Sequence, residues 1–143
     1  MSNLNVLNDL KIQGTTVKDF VIKRNENFNF GGNTNQSDTG ATSVGTYELW
    51  NSGKVVLTQR YYVSGTITVN FPFPFKDTNY IVEMAYEGTT ASDNLSFFCM
   101  SSSSRSTTGF QSRMRANIIN KIFKIEGYVS ETVKQQILNG QYD

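Results

Sequence analysis

Lys54-Val55-Val56-Leu57-Thr58-Gln59-Arg60-Tyr61-Tyr62-Val63-Ser64-Gly65-Thr66-Ile67-Thr68-Val69-Asn70-Phe71-Pro72 is the stretch on which the fold turns. Successive side chains of a strand point to opposite faces. A first strand therefore sets Val55, Leu57, Gln59 and Tyr61 on one face and Val56, Thr58, Arg60 and Tyr62 on the other. Ser64-Gly65 breaks it. The next run sets Ile67, Val69 and Phe71 against Thr66, Thr68 and Asn70. Pro72 and Pro74 cannot donate to a ladder, so this strand stops there.

The pattern continues on both sides. Tyr47-Glu48-Leu49-Trp50 precedes the turn signal Asn51-Ser52-Gly53. Strands follow at residues 80–86 and 95–100, bounded by polar turns. Residues 109–117 set Phe110, Ser112, Met114 and Ala116 opposite Gln111, Arg113 and Arg115. Residues 121–129 close the set with Ile122, Phe123, Ile125 and Tyr128. Short strands at this close spacing predict an all-β fold, a small antiparallel β-sandwich of six to seven strands. In the tail, Ser130 can cap a helix, Val133 and Ile137 stand four apart, and Gly140 can end it.

Ahead of the sandwich, composition separates two further regions. Residues 31–45 hold one large apolar side chain, Val44, among Gly, Ser, Thr and Asn, and read as a linker. Residues 1–30 are mixed: Leu10-Lys11-Ile12-Gln13 alternates, Gly14-Thr15-Thr16 breaks it, and residues 17–23 resume. This is a hairpin, or a strand with a short helical turn. An isolated two-stranded unit is marginal in water, so the segment is expected to act as an arm ordered by a partner. The expected organisation is an attachment or oligomerisation arm at 1–30, a linker at 31–45 and the sandwich with its tail at 46–143.

Composition narrows the function classes. The chain has 143 residues, no His, one Cys and a formal net charge of +1. Without His it lacks the commonest general base, the base of the usual Ser or Cys triad, and the commonest metal ligand. One Cys, Cys99, allows no intrachain disulfide; in its apolar run it reads as a buried, inert thiol. No catalytic residue, cofactor or metal site is expected. Glu83 and Glu87 lie four apart on one strand, roughly 13 Å, too far for a glycosidase pair. There is no basic run for nucleic acid and no stretch of the roughly 20 apolar residues that span a bilayer, and residues 1–5, without a basic or an apolar region, lead to the expectation of no signal peptide. Neither nucleic-acid binding nor membrane insertion is expected.

The order of motifs from residue 47 to residue 128 resembles phage tail-fibre tip domains of the lectin-like class, which are similar to H-type lectin sandwiches. The residues that carry the resemblance are Tyr47-Glu48-Leu49-Trp50-Asn51-Ser52-Gly53, Gln59-Arg60-Tyr61-Tyr62, Phe71-Pro72-Phe73-Pro74-Phe75, Thr108-Gly109-Phe110 and Gly127-Tyr128. The family pattern places Trp directly after the Gln of the second strand; here Arg60 follows Gln59, and Trp50 lies one strand earlier. Leu10-Lys11-Ile12-Gln13-Gly14-Thr15-Thr16-Val17-Lys18-Asp19-Phe20-Val21 resembles the N-terminal pieces of phage fibre and appendage proteins. That likeness implies virion attachment through Leu10, Ile12, Gly14, Val17, Phe20 and Val21.

The resemblance implies a homotrimer, joined through its arm to other virion proteins and assembled into the virion in the host cytoplasm. Its tip would bind a host surface glycan or protein. Candidate receptor-binding residues are Trp50, Arg60 and Tyr62, with Asp93, Asn94 and Arg105 in polar loops. Aromatic faces stack on sugar C–H surfaces and Arg forks hold hydroxyls or carboxylates. The same aromatics would equally serve core or interface packing. The alternative function is a purely structural head-fibre, collar or decoration protein.

Overall fold

The computed structural model describes residues 10–12, 15–28, 44–61, 67–88, 99–100, 104–113 and 118–143. At 10–12, 15–17, 27–28, 44, 86–88, 99–100, 113 and 118–120 it describes backbone alone. Among the described residues, ten strands and one helix occur in chain order: β1 (Leu10–Ile12), β2 (Thr15–Val17), β3 (Val21–Phe28), β4 (Val44–Trp50), β5 (Lys54–Tyr61), β6 (Ile67–Asn70), β7 (Ile81–Gly88), β8 (Cys99–Met100), β9 (Gly109–Arg113), β10 (Ile118–Tyr128) and α1 (Glu131–Leu138). They form a five-stranded sheet in the order β3-β4-β5-β10-β7, a three-stranded sheet β6-β9-β8, and the hairpin β1-β2. All pairings are antiparallel. The fold is small and all-β, as the alternation predicts.

Burial follows that alternation. Val55, Leu57, Gln59 and Tyr61 are buried, whereas the other face of β5 is half-exposed. In β6, Ile67 and Val69 are buried while Thr68 and Asn70 are exposed. The inner faces of the two larger sheets meet through rings: Phe123 of β10 lies 5.6 Å from Phe110 of β9 and 5.9 Å from Tyr61. Gln59 Nε2 donates to the Asn70 carbonyl at 2.9 Å, joining the sheets directly.

Phe71-Pro72-Phe73-Pro74-Phe75 ends β6 as the prolines require. Its three Phe side chains are buried, and the two Pro residues face outward in part. Phe71 meets Phe75 and Tyr80 edge-on, each with centroids 5.0 Å apart, and Phe75 stacks on Tyr80 at 5.4 Å. Such pairs contribute about 0.5–1.5 kcal/mol each beyond the area they bury. Gly127 of β10 makes room for them. A Cβ there would lie 2.8 Å from Tyr80 Cβ and 2.9 Å from Phe75 Cδ1. Lys76 N–H donates to the Tyr128 carbonyl at 2.8 Å, so the step is latched to the end of β10.

The tail is helical, capped by Ser130, whose hydroxyl accepts from Val133 N–H at 3.2 Å. Ile137 is fully buried against the core. Lys134 Nζ reaches inward to the Asn51 carbonyl at 2.6 Å. From β3, Lys23 Nζ donates to the Ile137 carbonyl at 2.7 Å and pairs with Asp143 at 2.9 Å. Tyr47 O–H donates to the same carboxylate at 3.1 Å.

The N-terminal segment, read as an arm, resolves into two parts. β1 and β2 pair antiparallel, Leu10 opposite Val17, so Thr15 and Thr16, read as part of the break, lie in a strand. β3 joins the main sheet beside β4, with Arg24 opposite Glu48 and Asn25 opposite Tyr47. The main sheet thus extends across the compositional boundary drawn at residue 30. Asn51 fixes the entry to β3. Its Nδ2 donates to the Lys18 carbonyl at 3.1 Å, and its Oδ1 accepts from Phe20 N–H at 2.9 Å.

Candidate functional site

The residues singled out by type do not converge on one place. Trp50 ends β4 opposite Val21, with Lys54 Nζ 4.0 Å above its indole ring. Its Nε1 is buried and has no hydrogen-bond partner among the described residues. Arg60 lies opposite Val44 and Ile122 near the far end of β5. Six residues of strand separate Arg60 from Lys54, roughly 20 Å. Phe20 and Val21 are half-buried where β3 begins. Tyr62, Asp93, Asn94 and Gly14 lie outside the described residues, as do the side chains of Leu10, Ile12, Val17 and Cys99.

Arg105 has a role within the fold. Its Nε donates to the Thr78 carbonyl at 2.6 Å and its Nη2 to the Tyr80 carbonyl. The guanidinium stacks 4.2 Å from the centre of the Tyr80 ring. Burial raises the Tyr80 phenol pKa, opposed by the charge of Arg105. Arg105 thus braces the 104–108 loop against the segment leading into β7.

That braced loop walls a cleft of about 250 Å³ on the outer face of the three-stranded sheet. Strand pairing sets Thr68 directly across from Gln111, and Asn70 across from Gly109. The loop adds the hydroxyls of Ser104, Ser106 and Thr108. The loop is well tied. Ser104 Oγ accepts from Gln111 N–H at 2.8 Å, Ser106 N–H donates to the Gly109 carbonyl at 2.9 Å, and Phe71 N–H donates to the Thr108 carbonyl at 2.9 Å. Every side chain lining this cleft is uncharged.

A larger hollow of about 590 Å³ lies over β3 and β4, lined by Arg24, Glu26, Thr46, Tyr47 and Glu48. Its central charges are already matched, since Arg24 Nη2 lies 3.0 Å from Glu48 Oε1. Inside the sandwich, Gln59, Ser112 and Lys121 are buried polar groups, with Lys121 opposite Tyr61. Burial lowers the Lys121 pKa to about 8 and raises that of Tyr61. Among the described residues no group of three or more Cys, Asp or Glu is placed to hold a metal ion, and no helix is long and apolar enough to cross a membrane.

Reasoning by residue type favoured aromatics and Arg and so passed over Thr68, Asn70 and Gln111. The signal was present in the alternation, which puts all three on polar strand faces. What it lacked was the pairing of β6 with β9, which brings those faces side by side. Comparisons with protein-family models, curated proteins and solved structures find no match to this chain.

Proposed function

We propose that this chain is a non-enzymatic phage virion fibre or appendage protein whose β-sandwich binds a host cell-surface receptor, a glycan. The reading starts from the order of motifs between residues 47 and 128. The observation that carries it is the uncharged cleft walled by the Arg105-braced loop. It is a concave polar site preorganised on a rigid sheet, and loops held on such scaffolds commonly carry binding. The N-terminal segment joins the protein to other virion components, and three copies form the working unit. Exposed Ile81 and Tyr128, at 63% and 46% exposure, support contact between copies. Both face outward from the five-stranded sheet.

The test is the solution mass of the purified chain together with its binding, fluorescently labelled, to a panel of intact bacterial cells. A trimer that binds one cell type saturably supports the reading. A well-folded trimer that binds no cell type overturns receptor binding in favour of a structural head-fibre, collar or decoration role.

A further inference from the structure

We propose that the cleft on the three-stranded sheet takes a single neutral sugar ring, read by Thr68, Asn70 and Gln111. This rests on the attachment reading above and names the site and ligand class for it. The three side chains project from the outer faces of β6 and β9. None of them makes a hydrogen bond among the described residues, so their polar groups are available to a ligand. Asn70 and Gln111 each offer an amide N–H₂ donor beside a carbonyl acceptor, and Thr68 offers a hydroxyl that does both. Adjacent hydroxyls of a sugar ring also donate and accept, so the two sets match.

Gly109, across from Asn70, lines the cleft with backbone alone, and the close approach of β6 requires a glycine there, since a Cβ would run into the Val69 carbonyl oxygen. At about 250 Å³ the space lies just below the roughly 300–1,000 Å³ of pockets for drug-sized ligands, which suits one ring rather than a long chain. An acidic sugar needs a cation to match its carboxylate. None of the side chains that line the cleft is a cation, and Arg105, which neighbours Ser104 and Ser106 in the loop, is committed to the Thr78 and Tyr80 carbonyls. The loop is tied before any ligand arrives, so binding does not bear the cost of ordering it.

The experiment is ligand-observed NMR on the full chain. The neutral probes are glucose, galactose, mannose, rhamnose, N-acetylglucosamine and N-acetylgalactosamine. The acidic probes are glucuronic acid and N-acetylneuraminic acid. The expected result is binding of at least one neutral sugar and of neither acidic one. Thr68→Val and Gln111→Ala should each weaken it at least tenfold without lowering the melting temperature, while Glu26→Gln in the charged hollow leaves it unchanged. Binding confined to acidic sugars overturns the inference, as does neutral-sugar binding that survives both cleft variants. Saturable binding to cells that the variants retain overturns the cleft assignment alone. Binding to neither cells nor sugars overturns the attachment reading with it.

Discussion

Gly127→Ala tests how the core is latched. The added Cβ would lie 2.8 Å from Tyr80 Cβ and 2.9 and 3.0 Å from two atoms of the Phe75 ring. Neither neighbour can retreat freely. Tyr80 O–H donates to the Ser106 and Gly109 carbonyls at 3.1 and 3.2 Å, and Arg105 stacks on its ring. Phe75 is wedged between Tyr80 and Phe71. Overpacking of this kind costs about 1–3 kcal/mol. Removing a Gly from a strand interior returns about 0.5–1 kcal/mol, because Ala loses less backbone freedom on folding. The net is a loss of about 1–2 kcal/mol, a melting temperature lower by roughly 3–8 °C for a chain of this size. Thermal and urea unfolding followed by circular dichroism reads it. Shortening Phe75 to Leu in the Gly127→Ala background should cost less than the sum of the two single changes, since the residues touch. A Gly127→Ala variant that melts at or above the parent refutes the packing argument.

Arg105→Ala should lower stability by about 1–3 kcal/mol, because it strips partners from the Thr78 and Tyr80 carbonyls. Arg105→Lys should recover little of this, since an ammonium cannot reproduce the planar fork, and unfolding midpoints check both variants. Lys121 gives a pH signature. Burial holds its folded-state pKa at about 8, below its ordinary 10.5. Below pH 8 the buried charge opposes folding in full, and this penalty is relieved as pH rises from about 8 toward 10.5. Tyr61, whose phenol burial raises, acts oppositely above its ordinary value of 10, so the clean window is pH 8 to 10. Urea titrations should show stability rising across that window by an amount on the order of 1–3 kcal/mol, and Lys121→Met should flatten the rise.

The strands of the sandwich were legible because burial on one face enforces a period of two along the chain. β5 and β6 carry that period without interruption, and Pro72 marks where β6 must stop. The tail helix was legible from Ser130 and the spacing of Val133 and Ile137, local signals both. Contacts between distant segments were not. Gly127 looks like an ordinary glycine until β10 brings it beneath Phe75 and Tyr80. β3 reads as part of a separate arm because composition does not report which edge a strand will join. The surroundings of the candidate residues were hidden for the same reason. Arg105 is the residue type a receptor site would use, yet nothing local shows that two carbonyls near residue 80 claim its fork. The residues that line the cleft come from strands about 40 positions apart in sequence and meet only through the β6–β9 register.

The central claim is that this chain attaches to a cell-surface sugar. The most direct test measures saturable binding of the labelled full chain across a panel of bacterial cell types, with and without polysaccharide purified from each cell surface. The account expects the soluble polysaccharide to abolish binding by the parent chain, and the Gln111→Ala chain to bind at least tenfold more weakly. A folded chain whose binding the polysaccharide leaves untouched, or which binds no cell at all, contradicts it.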